Sequence, residues 1–259
     1  MTDAFYVPVR GEYVATEHTR GPWSAAHQHG GPPAALIAHV AMAMAPGFTI
    51  ARITVDFLRP VPIDRLEVRV ATLRAGTKVQ RLVGALLHRG TELAHAVLTL
   101  VRPTGVEVPS VVADPPVPPP DRAAPFQFPF FREPSGYHTA MESRLALGHF
   151  GRGRVAIWMR QRVPLLPDTP PSPTERVLVA ADSGSGVSAG IDHARHTAIN
   201  FDLTVALHRA LEGEWVGLDS VSTYDGAGLG LADTRVLDVR GTVGRVLQGL
   251  VLERRADRV

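Results

Sequence analysis

Apolar and polar positions alternate with a period of two along most of this chain, and one stretch departs from the rule by being apolar on nearly every side. Leu66, Val68 and Val70 alternate with Glu67 and Arg69, the pattern of a strand with one buried face. The same pattern makes residues 51–58, 65–74, 78–87 and 92–101 four expected antiparallel strands, with a turn at His88-Arg89-Gly90. Looser alternation over 4–19, closed by Gly21-Pro22, predicts a strand pair ahead of them. The exception lies between. Residues 33–45 carry Leu36, Ile37, Val40, Met42 and Met44 nearly all round, and a helix without a polar face is a buried helix. A proline suits its first turn, where a missing N–H costs little, and Pro46-Gly47 ends it. A buried helix wrapped by an antiparallel sheet accounts for this half.

The second half repeats the first. Ile53-Thr54-Val55-Asp56-Phe57-Leu58-Arg59 aligns with Leu203-Thr204-Val205-Ala206-Leu207-His208-Arg209, and Leu98 then falls on Gln248. Arg89-Gly90-Thr91 likewise resembles Arg240-Gly241-Thr242. Copies of this length are domains rather than solenoid repeats. Strands are expected at 141–148, 154–162, 197–207, 215–224, 229–238 and 242–253, with Asp225-Gly226 as a tight hairpin turn. The central helix of this copy is expected to start near Asp182, in Asp182-Ser183-Gly184-Ser185-Gly186, the counterpart of His29-Gly30-Gly31. Pro115-Pro116-Val117-Pro118-Pro119-Pro120 is a semi-rigid spacer. The expected domains are therefore 1–110 and 126–259, with a linker at 111–125. Phe126, Phe128, Phe130 and Phe131 are expected to pack back onto a domain or cover a groove.

Composition removes several classes. The 259 residues are 45% hydrophobic and 20% charged, enough for a sizeable core. The net charge is +2, Lys78 is the sole lysine, and no dense basic run interleaves with aromatics, so nucleic acid is not an expected partner. Without cysteine there is no disulfide, thiol nucleophile or Cys-ligated metal. No apolar run reaches a membrane span, and Met1–Tyr6 lacks the basic and apolar regions of a signal peptide. A cytoplasmic protein is the expectation.

The candidate chemistry sits where the two copies differ. The second copy has Asp182, Asn200 and Gln248 where the first has Pro32, Ile50 and Leu98. A carboxylate at a helix start is favoured by unpaired N–H groups and the helix dipole, so Asp182 is either a cap or a general base. Gln248 lies among Val246, Leu247, Leu250 and Val251; it is either exposed on the outer face or paired inside, because an unpaired buried amide is costly. Asn200 poses the same choice. Convergence of the three would make a water-binding site in which Asp182 takes a proton while Asn200 and Gln248 hold the water or a substrate oxygen. Glycines at Gly30, Gly31 and Gly184 would let a substrate approach the backbone, and N–H groups at a helix start could stabilise an oxyanion. No His-Glu-x-x-His spacing, phosphate loop or Gly-x-Ser-x-Gly elbow occurs, so neither a metal nor a cofactor is expected.

Trp23 with His29-Gly30-Gly31-Pro32-Pro33-Ala34-Ala35-Leu36, then Leu58-Arg59-Pro60-Val61-Pro62, resembles the first half of the acyl-CoA thioesterase II-like proteins; Ala181-Asp182-Ser183-Gly184, Leu207-His208-Arg209 and Glu214-Trp215 resemble the second. The resemblance implies an α+β double hotdog, two antiparallel sheets each wrapped around a long central apolar helix. It implies an acyl-CoA substrate, a role in lipid metabolism, and a catalytic set of an aspartate, a hydroxyl residue and a glutamine. Asp182 and Gln248 match that set, whereas the hydroxyl position holds Asn200, which still donates and accepts hydrogen bonds. His29, Gly30, Gly31 and Gly184 become candidate substrate-binding residues. The expected activity is hydrolysis of an acyl-CoA to free acid and CoA. Its rivals are an acyl-CoA or lipid-binding protein without turnover, which the asparagine would suit, and a hydratase, whose Gly-Asp-x-Asn-Pro surroundings are missing. The sequence leaves a further homo-oligomer open.

Overall fold

A computed structural model describes residues 3–108, 116–192 and 195–255. The first half runs β1 (Tyr6–Val9), β2 (Glu12–Ala15), α1 (Gly31–Ala43), β3 (Thr49–Phe57), β4 (Arg65–Arg74), β5 (Val79–His88) and β6 (Thr91–Val101). The second runs β7 (Ala124–Pro125), α2 (Tyr137–Ala140), β8 (Met141–Leu147), β9 (Val155–Gln161), α3 (Pro173–Ala181), α4 (Gly184–Val187), β10 (His196–Asn200), β11 (Asp202–Leu207), β12 (Val216–Tyr224), β13 (Leu229–Asp238) and β14 (Gly241–Arg254). Residues 111–115 of the expected linker, and His193, lie outside the described residues. The linker's remainder is docked: the Pro118 carbonyl accepts the Trp158 indole N–H at 2.7 Å, and β7 pairs with β8. Among the described residues no helix is long and apolar enough to cross a membrane.

The strands form one sheet, in the order β1-β2-β4-β5-β6-β3-β11-β14-β13-β12-β9-β8-β7, with β10 also on β14. The two expected sheets are thus continuous with each other. They fuse because β3 and β11 pair antiparallel, Thr54 facing Thr204 with their hydroxyls 3.1 Å apart. Those two threonines are 150 residues apart and equivalent in the repeat, so the halves meet about a local pseudo-twofold.

The repeat is also exact in backbone register. Val70 faces Gly84, as Ser220 faces Thr234; Leu82 faces Leu98, as Ala232 faces Gln248; Thr54 faces Val97, as Thr204 faces Leu247. The bulge between Leu86 and Leu87 recurs between Val236 and Leu237. At the following hairpin His88 faces Thr91 and Asp238 faces Gly241, so the two Arg-Gly-Thr runs are one residue out of structural register. An irregularity between Ile50 and Arg52 has its counterpart where β10 gives way to β11. The expected strand 197–207 is therefore two strands parted at Phe201. The break shifts the period-two parity, so Asn200 shares the cavity side with Ala198, while Leu203 and Val205 still reach the core.

Each half packs helices on its own strands: α1 on β3 to β6, α3 on β9, β11 and β12, α4 on β9, β12, β13 and β14. Gly31 through Ala38 are all buried, but the end of the expected buried helix is not, Ala43 and Met44 being exposed; one apolar cluster runs beneath both halves. The second helix differs from expectation. Only nine residues long, it precedes Asp182 instead of following it. Ser172 caps it in a reciprocal capping box with Glu175, and Pro173 occupies its first turn. Asp182 is its C-cap, and the Ser/Gly run that follows sustains only the single turn α4. α1 and α3 cross antiparallel, tied by His39 Nδ1 to Glu175 Oε1 at 2.7 Å.

Candidate active site

A carboxylate at the C-terminal end of a helix faces the wrong pole of that helix's dipole. Asp182 is compensated by the other half of the molecule. The start of α1 abuts it, and the Gly30 N–H donates to Asp182 Oδ2 at 2.9 Å. Asp182 Oδ1 accepts from Asn200 Nδ2 at 2.8 Å and from Gln248 Nε2 at 3.2 Å. The structure thus brings together the three polar side chains that distinguish the second copy. Three N–H donors occupy three of the roughly four lone-pair directions of a carboxylate.

The amides are placed differently from each other. Gln248 is 0% exposed. Its Oε1 accepts the Ser185 N–H at 2.9 Å, and its Nε2 also donates to the Asp182 carbonyl at 3.1 Å. It grips the Asp182 turn and does not line the cavity. Asn200 does line it. Both its N–H bonds are used, on Asp182 and on the Asp202 carbonyl at 3.1 Å, which leaves its Oδ1 as the acceptor it offers.

His29 lies at the same point. Its ring stacks on Tyr137, centroids 3.8 Å apart and planes within 3°. Its Nδ1 is 3.2 Å from both Asp182 Oδ2 and the Gly31 N–H. One nitrogen cannot accept from Gly31 and donate to Asp182 at once, so the tautomer decides which contact is a hydrogen bond. Burial lowers the His29 pKa, and the Asp182 charge only partly offsets this. Burial also pushes the Tyr137 phenol far up, keeping it a donor to the Val179 carbonyl at 2.8 Å.

Below the ordinary histidine value of 6.5 the unfolded chain takes up a proton that folded His29 resists. The unfolded state then binds more protons, so stability falls with decreasing pH, at a limiting slope of about 1.4 kcal/mol per pH unit. Burial lowers His138 too, so the useful comparison is the difference from a variant. Urea unfolding between pH 5 and 7 is expected to show a shallower pH dependence in His29→Phe than in the native protein; parallel curves would refute a depressed His29.

A cavity of about 340 Å³ opens beside this cluster, lined by His29, Gly30, Asp182, Ser183, Asn200, Arg59 and a set of aromatic rings. The phenylalanine cluster does cover a groove: Phe128, Phe130 and Phe131 contact one another and form one wall. Of the four candidate substrate-binding residues, His29 and Gly30 line the cavity, while Gly31 and Gly184 do not. Gly31 is pressed on the α3 backbone, and Gly184 stands against Thr234 and Gln248. The N–H groups of Gly30 and Gly31 already face Asp182 and His29, and Pro32 and Pro33 have none. The start of α1 therefore serves the carboxylate rather than an oxyanion. The part of the site that sequence reasoning missed is this contact between halves.

A large antiparallel sheet carrying few helices, with a carboxylate held against an apolar cavity, places the molecule in the hotdog class. Within it the chain belongs to the acyl-CoA thioesterase family: residues 19–101 match the profile of the acyl-CoA thioesterase N-terminal domain and residues 112–252 that of the C-terminal domain. Solved structures agree in fold. A candidate thioesterase from Novosphingobium aromaticivorans is 21% identical, with 96% of this chain and 98% of that chain covered and a TM-score of 0.77. A hot dog fold protein from Alicyclobacillus acidocaldarius is 17% identical, covering 99% and 98%, TM-score 0.77. An acyl-CoA thioesterase II from Mycobacterium marinum is 19% identical, covering 88% and 92%, TM-score 0.65. No curated protein matches the chain.

Proposed function

We propose that the protein hydrolyses an acyl-CoA thioester by direct attack of water, on a scaffold of two fused hotdog units, residues 1–110 and 126–259. The observation that carries this is the Asp182 carboxylate, fixed by groups from both halves at the wall of an apolar cavity. In the His29 tautomer with hydrogen on Nε2, Nδ1 accepts from Gly31 and one lone pair of Asp182 remains for water. Asn200 Oδ1 accepts the water's second hydrogen, and Gln248 positions Asp182 from behind. The water oxygen bonds to the thioester carbon as its proton passes to Asp182. The C–S bond then breaks, and the leaving thiolate takes that proton back, giving free acid and CoA. With Nδ1 engaged, Nε2–H is the donor His29 offers to the thioester oxygen.

A second reading has its own support. Three N–H groups already bind Asp182, and a carboxylate so well satisfied suits a protein that binds acyl-CoA without turnover. Following free thiol under steady state with acyl-CoAs of several chain lengths separates the two. Catalytic release supports the hydrolase; saturable binding with no release would establish the other.

Arg59 is exposed and lines the cavity, a placement suited to a CoA phosphate. Arg59→Ala is expected to raise KM for an acyl-CoA by roughly three- to tenfold while kcat holds, with the difference shrinking at high salt because exposed charges are screened. An unchanged KM at low ionic strength would remove Arg59 from the CoA contact.

A further inference from the structure

The aromatic residues of this chain are unevenly spent. Of nine phenylalanines, Phe57, Phe128, Phe130, Phe131 and Phe201 line the cavity beside Asp182, and Trp23 joins them. Four segments supply them: the stretch ahead of α1, the end of β3, the segment ahead of α2, and the break between β10 and β11. The Trp23 and Phe130 rings are parallel to within 3°, with centroids 6.5 Å apart. Phe130 is itself braced by Phe128, Phe131 and Phe150 at 5.4 to 6.0 Å. Leu58, Val61, Ile199 and Val251 line the cavity as well, but the braced phenylalanines give one side of it a stiff, flat wall.

Size points the same way. A cavity of about 150 Å³ accommodates one benzene, so about 340 Å³ holds a ring together with the thioester and its neck. It lies at the small end of ligand pockets, roughly 300–1,000 Å³, a size that suits a compact acyl group better than an extended fatty chain. A planar acyl group can lie parallel to Trp23 and Phe130 and meet the other rings edge-on, geometries that aromatic pairs favour beyond simple burial. A flexible alkyl chain gains only burial, and loses rotamer freedom on entering.

Resting on the hydrolase reading above, we propose that the acyl group of the substrate is a short aromatic one, of the benzoyl or phenylacetyl type, recognised against the Trp23 and Phe130 rings. The test compares kcat/KM for phenylacetyl-CoA, octanoyl-CoA and palmitoyl-CoA, and measures binding of the first two through quenching of tryptophan fluorescence. Phenylacetyl-CoA is expected to exceed octanoyl-CoA about tenfold in kcat/KM, with palmitoyl-CoA lowest. Trp23→Leu and Phe130→Leu are expected to reduce that ratio about tenfold toward unity. Trp23 is half exposed, so its replacement leaves folding intact. Efficient hydrolysis of octanoyl-CoA or palmitoyl-CoA with poor hydrolysis of phenylacetyl-CoA would overturn the aromatic assignment and leave the hydrolase standing. Absence of turnover with every thioester would overturn the hydrolase. The acyl preference would then be read from binding alone, where octanoyl-CoA binding as tightly as phenylacetyl-CoA would overturn it.

Discussion

Asp182→Asn is expected to lower kcat for acyl-CoA hydrolysis by about 10²- to 10⁴-fold, the range for loss of a positioned general base, with a much smaller change in KM. The substitution keeps the size of the side chain and its place at the end of α3. It removes the basic oxygen and turns one acceptor into a donor. That donor must face a donor already present, whether Asn200 Nδ2, Gln248 Nε2 or the Gly30 N–H. A buried unpaired donor costs about 1–3 kcal/mol, so the variant should also unfold at lower urea. Stability and activity therefore have to be measured on the same preparation, with single-turnover rates taken where circular dichroism shows the native state. Retention of more than a third of the native kcat in a folded variant would exclude Asp182 as the base. Gln248→Leu offers a contrast. It removes the grip on the Asp182 turn without touching the cavity, so it should lower kcat through misplacement of Asp182 while KM stays put.

Much of the fold was legible in the alternation of side chains, and the reason is physical. Antiparallel strands with one face on a core must alternate, and β4, where Leu66, Val68 and Val70 alternate with Glu67 and Arg69, agrees with the expected 65–74, as β13 does with 229–238. The helix α1 was legible because His39 alone interrupts its apolar run. The position of α3 was not. Its alignment with the first copy placed the helix after Asp182, whereas Ser172-Pro173-Thr174-Glu175, a capping box with proline in the first turn, marks its start ten residues earlier. The dense prolines around it masked that signal.

The site divides in the same manner. Asp182, Asn200 and Gln248 stand out as polar residues replacing apolar ones within a repeat, and register then determines that they meet. No local pattern announces that His29 and Gly30 complete the cluster. Their approach depends on how α1 crosses α3, a contact between residues about 150 apart. Duplication explains how such a site arises: a pseudo-twofold sets the helix start of one copy beside the altered helix of the other. Either half alone holds an incomplete set, with donors lacking a carboxylate or a carboxylate lacking the N–H groups that offset its helix.

Gly31→Ala is expected to destabilise the protein by about 2–4 kcal/mol, near the upper end for overpacking, and to reduce kcat by about a hundredfold. The glycine pair reads in sequence as room for a substrate, but the crossing of the helices gives Gly31 another task. A methyl group there would stand 2.2 Å from the Val179 carbonyl oxygen and 2.9 Å from its carbon. Both are backbone atoms of α3, so no rotamer change relieves the clash. The helices must part by about 1 Å to restore van der Waals separation near 3.5 Å. Such a shift pulls His39 away from Glu175 and draws the Gly30 N–H off Asp182. Displacement of about 1 Å at reacting groups costs roughly a hundredfold in rate, which links the stability loss to the catalytic one. Gly226→Ala is the control: nothing lies within 4 Å of its added methyl, and its stability should stay within about 0.5 kcal/mol of native. Urea midpoints for the two variants, read beside their rates of thiol release, decide the matter. A Gly31→Ala protein with native stability and native kcat would mean that α1 and α3 are not locked together, and that the carboxylate does not depend on the first half for its place.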